Sequence, residues 1–276
     1  MLCFAGLRHN ISFFGNCECK ALRKSTVVAR PTMSFERQSM HLPTLMLPMP
    51  RTQRPLEHLL SETPWMGSLP DELAQRVSRE TVTRRIAAQG FVCRKGETVS
   101  AWIGVISGLV KISSVSAEGK AVTFTGVPSG GWFGEGSMLK NEPRRYDVVA
   151  LRESQIAYLP KALFLHLLDN SIAFNRFLLI QLNERLAQFI ATVEHERLLG
   201  PEGKLARIIA QLFNPVLYPG NRSELQISQA ELGYLTGLSR QRANQALQSL
   251  EQEGLVEIAY GAIRILDLEG LRSYEA

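Results

Sequence analysis

Cysteine is scarce, with four thiols at positions 3, 17, 19 and 93 in 276 residues. They are too few and too scattered for a disulfide framework in a chain of this length, and a cytoplasmic location is expected. Cys17 and Cys19 are one residue apart rather than the two common in zinc and iron–sulfur sites, so no metal site is expected. Histidines at 9, 41, 58, 166 and 195 have neither metal-ligand nor triad spacing. Neither a nucleophile elbow nor a phosphate-cradling Gly-Lys-Ser loop occurs, and no catalytic residue is assigned. Long apolar runs are missing too. The best, Thr98 to Val110, is broken by Gly104 and Gly108 and falls short of the roughly 18 apolar residues of a membrane span, so no membrane partner is expected.

A surplus of one charge is also lacking where it would matter. The formal net charge is +5, yet residues 1–32 carry Arg8, Lys20, Arg23, Lys24 and Arg30 against Glu18 alone. From Met33 onward 26 basic residues face 25 acidic ones. The bulk of the chain therefore has no general electrostatic grip on nucleic acid, and any DNA-binding reading must rest on a local motif.

What is present is the composition of a folded protein, 45% hydrophobic and 21% charged, over a length suited to two domains. Residues 1–58 have no sustained period and carry Pro43, Pro48, Pro50 and Pro55. They read as an irregular extension, with Met33 or Met40 as alternative starts. Over 59–165 short helical patterns, including a helix start at Leu69-Pro-Asp-Glu-Leu73, give way to brief β-rich runs punctuated by glycine. These predict a compact antiparallel barrel or roll. Residues 166–199 contain neither Gly nor Pro and predict one long helix. On it Leu179, Leu182, Leu186, Phe189 and Val193 follow 3-4-3-4 spacing, the seam of a homodimer. Packing of that stripe on the chain's own barrel is the alternative. Gly200-Pro201 predicts a helix stop and hinge. Residues 200–276 then read as three helices and a β pair turning at Gly261, the outline of a winged helix-turn-helix. The expected fold class is α+β.

The stretch from Ile227 to Leu250 carries the chemistry. Ser228, with Glu231 three residues on, forms a capping box that starts a helix; Gly237 supplies a tight turn, and Ser239 caps a second helix. Leu232, Leu235, Leu238, Ala243, Leu247 and Leu250 are the expected inner faces. Arg240, Gln241, Arg242, Asn244 and Gln245 remain outside, in the first turns of the second helix. A helix N-terminus offers unpaired N–H groups to phosphate, Arg can take guanine, and Gln or Asn can take adenine. This face is expected to read DNA, with Ser228, Gln229 and Ser239 at the two helix starts counted in the same interface. The alternative is a solvated amphipathic helix, since 200–276 holds seven Lys or Arg against nine acids.

From about residue 59 onward the chain resembles the Crp/Fnr family of bacterial transcription regulators. The helix-turn-helix just described carries the resemblance, together with Gly130-Gly-Trp-Phe-Gly-Glu135 and the following Arg144-Arg-Tyr-Asp-Val148. It implies a cyclic-nucleotide-binding-like jelly roll, a long dimerisation helix and a C-terminal winged helix-turn-helix. It also implies a homodimer on a palindromic operator, with double-stranded DNA and RNA polymerase as partners. In the family's effector cassette a Gly-Glu pair and a downstream Arg hold the ligand through a ribose hydroxyl and a phosphate. The matching residues look like Gly134, Glu135 and Arg145, an arrangement suited to an anion where the Arg is buried. The alternative is an ion pair between Glu135 and Arg145.

Departures from the family pattern shape the expected ligand. Tyr146 is bulky where cyclic-AMP receptors carry a small hydroxylic residue, and Phe189 and Ile190 stand where those receptors place a base-contacting hydroxyl pair. Each unpaired purine polar atom would cost about 1 to 3 kcal/mol. Cyclic AMP is therefore disfavoured, leaving another nucleotide, a different small anion, or no effector. The base-reading Arg-Glu pair and second Arg of catabolite-activator-like members match Arg240, Gln241 and Gln245, so a palindrome with a different half-site is expected. The rival reading is a signalling adaptor or regulatory subunit that reuses the roll and binds protein through its C-terminal helices.

Overall fold

The computed structural model describes residues 56–220 and 223–275. Cys3, Cys17, Cys19 and the expected extension up to residue 55 lie outside the described residues. The chain enters through α1 (Leu56–Glu62), a 3-10 turn at Met66–Ser68 and α2 (Asp71–Glu80). In α2, Asp71 and Glu72 occupy the first turn, where carboxylates complement the helix dipole.

Strands β1 (Val82–Ile86), β2 (Phe91–Cys93), β3 (Ala101–Ser107), β4 (Leu109–Val115), β5 (Ala121–Pro128), β6 (Trp132–Phe133), β7 (Asp147–Ala150) and β8 (Ser154–Pro160) follow. A short α3 (Glu135–Lys140) lies between β6 and β7. They make two antiparallel sheets, ordered β1-β8-β3-β6 and β2-β7-β4-β5. The expected α+β class and antiparallel jelly roll are present. Period-2 alternation along β3 sends Ile103 and Val105 into the core between the sheets and Trp102 and Ile106 into a second core under the helices. In that helical core Trp102 stacks on Trp132 at 4.4 Å between ring centroids. A Cβ at Gly104 would stand 2.9 Å from the Trp132 ring, so a side chain there would push the ring aside.

Next come α4 (Lys161–Asn170) and α5 (Ile172–Leu198). The single helix expected over 166–199 is in fact split, with a bend of 107° between α4 and α5. Ser171 is extended (φ −131°, ψ 107°), and its hydroxyl accepts from the Phe174 N–H at 3.2 Å. A serine N-cap breaks a helix with neither Gly nor Pro. Among the described residues no single helix is long and apolar enough to cross a membrane.

The C-terminal part holds α6 (Pro201–Leu212), β9 (Glu224–Gln226), α7 (Gln229–Thr236), α8 (Arg240–Gln252), β10 (Val256–Ala259), β11 (Ala262–Ile265) and α9 (Leu268–Ser273). The sheet is three-stranded, ordered β10-β11-β9, because Leu225 and its neighbours pair with β11. Leu205, Ile209, Leu232, Leu247, Leu250 and Ile263 fill this core, and the roll contributes Leu109 and Leu151 to it. In exchange Leu217 and Tyr218, which follow α6, enter the roll's interior beside Val110, Val127 and Phe133.

Candidate nucleic-acid interface and effector cassette

Helix α7 begins with a complete capping box. The Ser228 hydroxyl accepts from the Glu231 N–H at 3.3 Å, and the Glu231 carboxylate accepts from the Ser228 N–H at 2.6 Å. Gly237 ends the helix in the left-handed region (φ 69°), where glycine carries no steric penalty. At Gly233 a Cβ would stand 2.9 Å from the Leu238 carbonyl, so only glycine lets the turn close this tightly over α7. Ser239 caps α8, its hydroxyl accepting from the Arg242 N–H at 3.3 Å. Ala243, Ala246, Leu247 and Leu250 are buried beneath α8. Ser239, Arg240, Gln241, Arg242 and Gln245 are exposed, while Asn244, Ser228 and Gln229 are half-buried. The β10–β11 wing turns at Tyr260-Gly261 and leaves the Tyr260 ring fully exposed. Tyr260 is an added candidate contact, and its one sequence signal is its place before the turn glycine.

Glu231 has a further partner. Arg152, in the turn between β7 and β8, donates to it with both Nε, at 2.8 Å, and Nη2. Burial pushes the Glu231 carboxyl up, but the hydrogen bonds from Arg152 and Ser228 outweigh it and hold it below its ordinary value. The first helix of the helix-turn-helix is thereby fastened to the roll.

In the cassette the structure reverses one assignment. Arg145 is 68% exposed and bound to Glu142 through two contacts of 2.7 and 2.8 Å. Arg144 is the buried arginine, 5% exposed, donating to the carbonyls of Gly134 at 3.3 Å and Ala101 at 2.5 Å. The two arginines precede β7 at a bend that turns Arg144 inward and Arg145 outward, so a one-residue offset exchanges the inner and outer arginines. Nor does Glu135 pair with Arg145. It is buried, accepts from the Trp102 indole at 3.4 Å, and lies 3.2 Å from Arg185 of α5. Arg185 also donates to the Trp132 carbonyl. Burial, with the Glu135 charge nearby, pushes the Tyr146 phenol up to about 12.

Phe189 and Ile190, expected over the ligand, are 45% and 62% exposed, one turn beyond the residue that does reach the cassette, Arg185. In the single chain both side chains lie on the exposed side of α5. Phe189 shares its exposure with Leu179, Leu186 and Val193, whereas Leu182 is half-buried. Arg185 and Tyr218 are the polar cassette residues that carry no motif signal. A basic or aromatic residue brought in from a distant element leaves no local spacing to find.

Two family models match the chain, the cyclic nucleotide-binding domain over residues 83–171 and the Crp-like helix-turn-helix domain over residues 184–274. The transcriptional regulator SdrP of Thermus thermophilus is 28% identical over 170 residues, covering 61% of this chain and 80% of that protein. The cAMP-activated global transcriptional regulator CRP of Haemophilus influenzae is 25% identical over 185 residues, covering 63% and 82%. Among solved structures, FixK2 from Bradyrhizobium japonicum shares the fold with a TM-score of 0.56 at 15% identity, covering 71% of this chain and 98% of that one. With a cyclic-nucleotide-binding-type roll followed by a Crp-like helix-turn-helix, the chain belongs to the Crp/Fnr family of transcription regulators, which are not enzymes.

Proposed function

We propose that this regulator works in the cytoplasm as a homodimer that reads a palindromic operator in double-stranded DNA and acts on RNA polymerase. In this reading 59–165 senses an effector, 166–199 carries the dimer helix and 200–276 binds DNA. Leu179, Leu182, Leu186, Phe189 and Val193 form the seam. The observation that carries the reading is the capped α7–α8 pair, which leaves Arg240, Gln241, Arg242 and Gln245 exposed together on the first turns of α8. Arg240 is assigned to a guanine, and Ser228, Gln229, Ser239 and Asn244 to the same interface.

The roll's match to the cyclic nucleotide-binding domain supports a nucleotide or other small anion as effector, with Gly134, Glu135, Arg144 and Tyr146 around it. Bulky Tyr146 beside Glu135 disfavours cyclic AMP. As arranged here, the polar groups that would hold such a ligand are engaged by the protein itself. Arg144 is spent on two carbonyls and Glu135 on Arg185 and Trp102.

Selection from a random duplex pool tests the DNA reading. The wild-type protein should enrich a palindrome, and Arg240→Ala should weaken binding by about 1 to 3 kcal/mol and relax one half-site position. Unchanged selectivity would remove Arg240 from the reading face. Equal affinity for selected and random duplexes at moderate salt would refute operator recognition altogether.

A further inference from the structure

We infer that Leu217 and Tyr218 are a built-in occupant of the roll's effector cavity, supplied by the C-terminal domain, and that they tether that domain to the roll. The competition with an outside ligand rests on the effector reading above; the tether does not.

Both side chains are fully buried in the roll's core although they follow α6. The segment is shaped for insertion by Asn214, whose carbonyl side-chain oxygen accepts from the N–H groups of Val216 at 2.9 Å and Leu217 at 3.0 Å. The Asn214 amide donates to Glu184 of α5 at 2.6 Å, which fixes the turn against the long helix. Beyond it the Tyr218 hydroxyl donates to the Gly126 carbonyl of β5 at 3.1 Å. The same phenol hydrogen-bonds Arg185, the residue that engages Glu135. The glycines before the Glu135 motif leave room for this guest as well as for the roll's own packing: a Cβ at Gly131 would stand 2.5 Å from Val127 and 2.9 Å from the Tyr218 ring, and one at Gly130 would stand 3.3 Å from the Gly220 nitrogen. A flat ring with a polar edge, seated among Glu135, Arg185 and Tyr146, stands where an outside ligand would make its contacts. A nucleotide or small anion that takes Glu135 must displace it and so loosen the segment that leads into α7 and α8.

Hydrogen exchange and calorimetry on the full chain, wild type and Tyr218→Ala, read the two parts separately. A tether predicts that the variant exchanges faster beside the missing ring, in residues 127–135, and also in the distant capping box, 228–232, which Arg152 holds against the roll. Amides of α8 should be unchanged. Faster exchange confined to residues that touch the ring, or no change at all, overturns the inference. Titration with cyclic AMP and cyclic GMP should show at least one bound about tenfold more tightly by the variant than by wild type, because the closed fraction no longer discounts affinity. If neither binds while the capping box loosens, the cyclic-nucleotide reading falls and the tether stands. If wild type and variant bind a probe equally, the competition falls. Should Tyr218→Ala not fold, Tyr218→Phe, which keeps the ring and loses the hydroxyl contacts to Gly126 and Arg185, is read by the same criteria with smaller shifts.

Discussion

Single side chains in the cassette tolerate little change, and Gly134 measures how little. Its φ is 92°, and a Cβ there would stand 2.2 Å from the Arg144 guanidinium. Gly119 is also left-handed, φ 81°, but faces open space, so Gly119→Ala should cost only the backbone penalty of about 1 to 2 kcal/mol. Gly134→Ala should cost a further 1 to 3 kcal/mol, roughly the price of overpacking, in urea denaturation. Equal losses would show that the guanidinium moves aside freely. Arg152 and Glu231 are a second case. With the Glu231 carboxyl held below its ordinary value, the pair's stabilisation is complete above the unfolded pKa of about 4.3 and is lost as pH falls through the lower folded value. Arg152→Ala should therefore lower stability at neutral pH by about 1 to 3 kcal/mol. The gap to wild type should close in acid below that carboxylate range. A gap that persists there would mean that Arg152 acts by packing and not by charge.

At the scale of elements, α5 decides the subunit question. Its 27 residues span about 40 Å, and Leu179, Leu186, Phe189 and Val193 along it are exposed in the single chain. On the proposed dimer reading that apolar stripe is the surface that meets the second helix. Leu186→Glu should yield a monomer in sedimentation velocity, with an unchanged thermal midpoint of the roll and strongly weakened operator binding once the half-site contacts are no longer linked. A variant that stays dimeric places the interface elsewhere. The same elements show what could be read in advance. Helices α7 and α8 were legible because their caps, turn glycine and inner face are all local signals. The strands were legible from glycine-punctuated β-rich runs. The break at Ser171 was not, since a serine cap within an apolar run looks like one more helical residue. The motif reading chose Arg145, whereas Arg144 is the buried arginine of the pair, and nothing in the spacing tells the two neighbours apart. Tyr218 enters the roll from a distant part of the chain, and such insertion has no period.

For the whole molecule, the interlocked cores matter more than the division into domains. Leu109 and Leu151 leave the roll for the C-terminal core, and Leu217 and Tyr218 make the opposite exchange. Each core is thus incomplete without residues from the other, unlike domains that could each fold alone on either side of a hinge. Trp65, Trp102 and Trp132 all lie in the helical core against the roll, so tryptophan fluorescence reports that region, whereas helical ellipticity also reports α6 to α8. The two signals should fall together in one thermal transition. Leu151→Ala, which truncates a roll residue inside the C-terminal core, should cost about 2 to 5 kcal/mol. It should move both signals down by the same amount. Separation of the fluorescence and ellipticity midpoints in that variant would show that the cores are independent. Motion of the reading helices would then need no release of the Arg152 and Tyr218 contacts. Coincident midpoints would mean that the two cores unfold as one unit, and on the proposed effector reading a signal from the roll would reach α8 by breaking the Arg152 and Tyr218 contacts.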